Sequence, residues 1–308
     1  MNPQRQRELS RLISKLDRLN PGESLPEVRD GSEIGAAFRI GVTGPLGAGK
    51  SSLINEIARN YRKRDMTVGI IAVDPTSPFT GGALLGDRIR MPELTLDSGV
   101  FIRSLATRGA FGGLTENAND AADLLDVFGF DRIIIETVGV GQSEVDIAGA
   151  CDAALVVFEP GSGDGIQAMK AGLMEIADLF VVNKKDMKGA DRFVLELETV
   201  LEMRHRDRRP PVMMTSAHNG EGVLEMVDWL EGYYEKVHHD GRLQSRRKGQ
   251  RIDRIKRAAE ELLKSNLWKA ISLERLERAS HSSQSVRDAA RELVGDFMQS
   301  EEEDRIVR

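Results

Sequence analysis

Cysteine is nearly absent: Cys151 is the single one in 308 residues. That excludes an intramolecular disulfide framework or a multi-cysteine zinc cluster within one chain, and it fits a reducing compartment. Histidine is scarce too. His205, His218, His238, His239 and His281 show no metal-binding spacing and no pairing with a nucleophilic Ser or Cys, so they read as solvated side chains. No apolar run approaches the roughly 18 residues of a membrane span. The opening MNPQRQRELSRLISKLDRLN lacks the apolar core of a secretory signal, and Glu8 and Asp17 argue against a mitochondrial presequence. These absences lead to the expectation of a soluble cytoplasmic protein. An excess of basic charge is also missing. With 43 Lys and Arg against 49 Asp and Glu, the net charge is −6, so neither nucleic acid nor a membrane is an expected partner. Any polyanion must be held by a local site. Internal repeats and low-complexity tracts are absent.

What is present suits one large α/β domain with helical extensions: 40% hydrophobic and 30% charged residues over a length that can bury a core. Leu9, Leu12, Ile13, Leu16 and Leu19 fall at helical spacing and predict an amphipathic first helix, stopped by Asn20-Pro21-Gly22. Seven short apolar runs then alternate with helical stretches: RIGVT, VGIIAV, VFIRSL, RIIIE, AALVVF, LFVVN and PVMMT. Apolar throughout, they suit strands covered on both faces, hence an α/β fold with a mostly parallel central sheet flanked by helices. Gly222 to about His238 predicts a closing helix. HHDGRLQSRRKGQR reads as a linker or exposed turn. Beyond it, Ile252, Ile255, Ala259, Leu262 and Leu263 form one helical face and Val286, Ala290, Leu293, Val294 and Phe297 another. These helices either pack back on the sheet or form a dimerisation arm. The final EEEDRIVR is expected to fray, and Trp229 and Trp268 read as packing residues. The expected division is an N-terminal helical extension (1–37), a central α/β domain (38–239) and a C-terminal helical arm (240–308).

Three segments carry chemistry. Gly44-Pro45-Leu46-Gly47-Ala48-Gly49-Lys50-Ser51 fits G-x-x-x-x-G-K-[ST], after a strand and opening the helix SSLINEIARNYRK. Its glycines let the backbone wrap phosphates, Lys50 reaches the β/γ oxygens, and Ser51 offers a hydroxyl to magnesium. Asp74 and Glu136, each just after an apolar run, and Asp87 in a glycine-containing loop are the candidate magnesium-linked acids. In ETVG, Gly139 is placed to sense a γ-phosphate through its N–H. Asn183-Lys184-Lys185-Asp186 follows LFVVN; the Asp186 carboxylate can accept from guanine N1–H and the exocyclic amine, which selects GTP over ATP. Thr215-Ser216-Ala217 is expected to turn backbone N–H groups toward the guanine carbonyl. Ser52 and Ala48 complete the expected nucleotide contacts, and Asp87 and Gln142 are the candidates to position the attacking water.

From about Phe38 to Asp186 the chain resembles the MeaB/ArgK branch of P-loop GTPases. The resemblance rests on GPLGAGKSS, AVDPTSPFTGGALLGDRIRM, RSLATRGAFGGLT, ETVGVGQSE, GSGDGIQAMKAGLMEIAD and NKKD. It implies a G-protein chaperone that gates cofactor loading, and protects or reactivates, an adenosylcobalamin-dependent acyl-CoA mutase of the methylmalonyl-CoA type or an isobutyryl- or 2-hydroxyisobutyryl-type relative. It also implies that Asp74, Asp87 and Glu136 belong to two switches binding Mg2+, that residues 159–170 form a third loop contacting the mutase, that Lys170 stabilises charge in hydrolysis, and that the chain forms a homodimer. RSLATRGAFGG carries Ala-Phe where the family more often has His-Leu, and FEPGSGDG opens the third loop in a divergent way; both bear on the choice of mutase. Alternatives of other kinds are a nickel-type metallochaperone GTPase, an ArgK-like kinase linked to basic amino-acid transport, and a binding module whose hydrolysis is incidental.

Overall fold

The structure is a computed structural model that describes residues 2–16, 18–19, 23, 36–74, 91–106, 116–137, 143–161, 172–202, 209–281 and 284–306. In chain order its elements are α1 (Pro3–Leu16), β1 (Phe38–Thr43), α2 (Lys50–Arg62), β2 (Val68–Asp74), α3 (Pro92–Thr95), β3 (Val100–Ala106), α4 (Glu116–Val127), β4 (Arg132–Thr137), α5 (Ser143–Asp146), β5 (Ala153–Phe158), α6 (Met174–Ile176), β6 (Leu179–Val182), α7 (Ala190–Leu201), β7 (Val212–Met214), α8 (Val223–His239), α9 (Arg242–Ala270), α10 (Leu273–Ser280) and α11 (Val286–Ile306).

All seven apolar runs are strands of one sheet, ordered β3-β2-β4-β1-β5-β6-β7, with every neighbouring pair parallel. RIIIET and AALVVF are buried at every position, as expected of strands that helices cover on both sides. On one face Ile40, Val42, Ile70 and Ile134 meet Leu53, Ile54 and Ile57 of α2 and Met226, Val227 and Leu230 of α8. On the other, Ile71, Val73, Ile133 and Ile135 meet Ala118, Ala121, Ala122 and Leu125 of α4 together with Leu9, Leu12, Ile13 and Leu16 of α1. The four apolar residues of α1 are almost fully buried, each contributing on the order of 1.5–3 kcal/mol. The N-terminal helix is therefore part of the sheet's cover. At the β5–β6 side, Phe158 and Phe180 pack on Phe193, Leu197 and Leu201 of α7.

Contacts divide the chain into two compact units, Met1–Leu19 with Ser24–Arg251, and Asn20–Glu23 with Ile252–Arg308. The segment expected to be a linker is helical from Arg242 onward, with Asp240-Gly241 as the break (Gly241 φ 77°). Arg, Lys, Gln and Leu are good helix formers, so the composition that reads as exposed also favours helix. Its charges are also used. Arg246 Nη1 donates to Asp178 Oδ2 and to the Asp152 carbonyl, both at 2.8 Å. Arg247 grips the Asp152 carboxylate through Nε at 2.8 Å and Nη2 at 2.5 Å, and Gln250 Nε2 donates to the carbonyls of Ala148 and Cys151. Cys151 is fully buried behind this contact, and burial pushes its thiol up to about 12.

In the second unit α10 and α11 are joined by an Arg275–Asp296 ion pair, and Ser285 caps α11, its Oγ accepting from the Asp288 N–H at 3.2 Å. Phe297 is buried, whereas Ile255, Leu263, Trp268, Val286 and Met298 are exposed in the single chain. Trp229 packs on Tyr233 with ring centroids 5.1 Å apart; Trp268, expected to pack, is half exposed. Helix α11 continues to Ile306, through most of the segment expected to fray. No helix of the described residues is long and apolar enough to cross a membrane.

Candidate nucleotide site

In a parallel sheet the carboxyl ends of all strands lie on one edge, where the loops converge. Here that edge gathers Gly44 after β1, Asp74 at the end of β2, Glu136 in β4, Glu159 after β5, Asn183 after β6 and Thr215 after β7.

The phosphate loop turns between β1 and α2 on residues whose conformation or surroundings exclude a side chain. Gly44 has φ +135°, and a methyl group there would lie 2.1 Å from the Val157 carbonyl oxygen; Gly49 has φ +84°, and its methyl would lie 2.5 Å from Asn183 Nδ2. Helix α2 starts at Lys50 with no side-chain cap, which leaves its first-turn N–H groups to an anion. Lys50 is buried, its Nζ donating to the carbonyls of Gly44 (2.7 Å) and Pro45 (3.0 Å). Ser51 Oγ donates to Glu136 Oε1 at 2.8 Å. Behind them Thr137 Oγ1 donates to Thr43 Oγ1 at 2.9 Å. A cleft of about 220 Å3 opens on the loop, lined by Gly47, Gly49, Lys50, Ser51, Ser52, Asp74 and Glu136 among others. The hydroxyl of Ser51 and the carboxylates of Glu136 and Asp74 thus share one cleft, a set of hard oxygens that fits magnesium, an ion that takes few protein ligands and completes its shell with phosphate and water.

Asn183 joins this loop to the base-recognition segment. Its Nδ2 donates to Ala48 O at 2.9 Å, and its Oδ1 accepts from Thr215 Oγ1 (3.2 Å) and from the Ala217 N–H (3.0 Å). Asp186 is exposed at the rim, its Oδ1 accepting from Ser216 Oγ at 2.6 Å. That hydroxyl, more than any other group, holds the Asp186 carboxyl below its usual range and keeps it an acceptor. Lys185 is paired with Glu221 at 2.7 Å, which raises its ammonium above its ordinary value.

One expectation is corrected. The N–H groups of Thr215, Ser216 and Ala217, expected to face the base, donate within the protein: to Val182 O, Glu221 O and Asn183 Oδ1. The strand end and the Ser216–Glu221 bridge use them up, and Ser216 acts through its hydroxyl instead. The structure brings Gly44, Gly47, Ala48, Gly49, Lys50, Ser51, Ser52, Asp74, Glu136, Asn183, Lys184, Asp186, Ser216 and Ala217 to one edge; Asp87, Gly139, Gln142 and Lys170 lie outside the described residues. Glu159, expected only as the first residue of the loop contacting the mutase, was not foreseen at the nucleotide site. It pairs with Lys184, and its sequence signal is a lone carboxylate directly after the apolar run AALVVF.

Residues 25–272 match the family model of the methylmalonyl-CoA mutase-associated GTPase MeaB. The chain belongs to this family. A Pyrococcus abyssi protein named as a GTPase is 50% identical over 72% of this chain and 70% of its own length. GTPase ArgK of Escherichia coli is 34% identical over 76% and 72%, and the mouse mitochondrial methylmalonic aciduria type A homolog is 37% identical over 80% of this chain and 60% of its own. Among solved structures, a LAO/AO transport system kinase superposes with a TM-score of 0.68 at 25% identity, covering 97% of this chain and 99% of that one. The hydrogenase maturation factor HypB of Archaeoglobus fulgidus, at TM-score 0.50 and 19% identity over 74% of this chain and 98% of its own, shares the fold alone. As a MeaB-family protein the chain is a guanine-nucleotide-binding P-loop GTPase, converting GTP to GDP and phosphate.

Proposed function

We propose that this GTPase is a chaperone of an adenosylcobalamin-dependent acyl-CoA mutase, gating cofactor loading and protecting or reactivating the enzyme. The observation that carries the reading is the match to a family described by its association with methylmalonyl-CoA mutase, over the same residues that form the nucleotide cleft. The mutase served is of the methylmalonyl-CoA type or an isobutyryl- or 2-hydroxyisobutyryl-type relative, and the adenosylcobalamin belongs to it.

In this reading the loop of Gly44 to Ser51 holds the phosphates. Lys50 leaves the carbonyls of Gly44 and Pro45 to meet the β/γ oxygens, and Asp186, kept ionised by Ser216, accepts from the guanine edge. Ser51, Glu136 and Asp74, with Asp87, would hold Mg2+, which when bound neutralises charge building on the phosphoryl oxygens. Water attacks the γ-phosphorus, positioned by Asp87 or Gln142. Gly139 senses the γ-phosphate and Lys170 adds charge stabilisation on the mutase complex. Hydrolysis then shifts the population between two loop arrangements. The helices of 240–308 form a dimerisation arm through exposed apolar residues such as Ile255 and Leu263, in a cytoplasmic protein.

The test is to purify the chain from its native host, identify co-purifying proteins, and measure GTP turnover with and without the mutase. Co-purification with a cobalamin mutase that accelerates turnover is expected. A mutase that neither binds nor changes turnover defeats the reading. Light scattering is expected to give a dimer mass; a monomer at micromolar concentration removes the arm's role.

A further inference from the structure

Glu159 stands one residue beyond β5, and its carboxylate ties together two segments that come from different strands. Oε2 accepts from Lys184 Nζ, the lysine of the guanine element. Oε1 faces the phosphate loop: a methyl group on Gly47 would lie 3.1 Å from it. Between these ends the lysine stem passes over the loop, since a methyl on Gly49 would lie 3.8 Å from Lys184 Cε. Lys184 also has a left-handed backbone, φ +58°, uncommon for a residue with a side chain. The lysine is thus laid across the phosphate loop from the end of β6 and tethered at the end of β5. Its side chain is 37% exposed and that of Glu159 20%, so water weakens the pair without dissolving it.

We propose that Glu159 is a positioning residue for nucleotide retention: it fixes Lys184 across the phosphate loop before the nucleotide arrives, so that bound guanine nucleotide leaves slowly. The proposal rests on the reading of residues 44–51 and 183–186 as the phosphate and guanine elements. An untethered lysine has many rotamers, and a ligand that must order it binds less tightly than one meeting it already in place. A carboxylate beside an anion cradle also repels phosphate, which acts mainly on association. Loss of positioning acts on dissociation. The two effects of one substitution therefore separate in the two rate constants.

The experiment follows fluorescent GDP by stopped flow on the full chain. Glu159→Gln is expected to release it about two to five times faster, with association unchanged or up to about twofold faster, and without change in the melting temperature of the nucleotide-free protein. Lys184→Met is expected to release it faster too, and adding Glu159→Gln to Lys184→Met should then change little, because the tether has nothing left to hold. In the unmodified chain, release should accelerate as salt is raised and the ion pair is screened, an arm that needs no variant to fold. Release from Glu159→Gln that is unchanged or slower, effects of the two substitutions that simply multiply, or salt-independent release from the unmodified chain each overturns the proposal while leaving the nucleotide site standing. Failure of the unmodified chain to bind fluorescent GDP at all overturns both.

Discussion

The two edges of the same sheet are built on opposite principles. At the amino-terminal edge charges meet charges. Arg39, in β1, pairs with Asp123 and Asp126 of α4 at 2.8 and 2.9 Å. Arg132, at the start of β4, pairs with Glu231 and lies over the rings of Phe38, Tyr61 and Tyr234 at 5.3–5.9 Å. Asp152 and Asp178, just before β5 and β6, are held by Arg247 and Arg246. At the carboxyl-terminal edge Lys184 and Lys185 still pair with Glu159 and Glu221, but the buried groups at its centre hold backbone instead: Lys50 two carbonyls of the phosphate loop, Asn183 the Ala48 carbonyl and the Ala217 N–H. A bond from Lys50 to a carbonyl can be exchanged for one to a phosphate oxygen, whereas an ion pair in a half-buried site cannot be given up without leaving a charge stranded. One edge is built for stability and the other for a ligand.

The contrast breaks if substitutions at either edge report at the other. Lys50→Ala is expected to have the largest effect, lowering GTP turnover by about 10²–10³-fold, the cost of removing a donor aimed at developing charge, while the unfolding transition moves little; a turnover assay and a thermal melt check both. Asp152→Asn strands Arg247 and should lower unfolding free energy by about 3 kcal/mol, seen in urea denaturation, with GDP affinity within about twofold of the unmodified chain because the site is at the other end of the strands. Asp186→Asn is expected to weaken GDP binding by about tenfold or more without improving ATP binding, measured by calorimetry. Smallest is Ser216→Ala, expected to weaken GDP by about two- to fivefold and to change the acid limb. Ser216 lowers the Asp186 pKa, so in the unmodified chain the acceptor is present above the ordinary carboxylate range and is lost only as pH falls through a value below it. The alanine variant should lose affinity at a higher pH, and identical acid limbs would remove Ser216 from this role.

The fold was legible because each strand is an uninterrupted apolar run, and seven such runs spaced by helices leave little but a covered parallel sheet. GPLGAGKS and NKKD were legible for a different reason: their residue types are dictated by close backbone approach to phosphate and by the hydrogen-bond edge of a base. The segment after His239 misled. Its arginines look solvated in sequence, and nothing local says that Asp152 and Asp178, 95 and 68 residues earlier, are waiting for them. The N–H groups of Thr215-Ser216-Ala217 misled similarly, since their acceptors belong to β6, the Asn183 side chain and Glu221.

The sequence alone determined the strand set, the phosphate loop and the guanine element, because these depend on patterns within a few residues. Tertiary structure alone decided that α1 covers the sheet, that Arg246 and Arg247 clamp its amino-terminal edge, and that Glu159 reaches Lys184 over the phosphate loop. Those contacts join residues that are distant in the chain and become neighbours only when parallel strands bring their ends to a common edge.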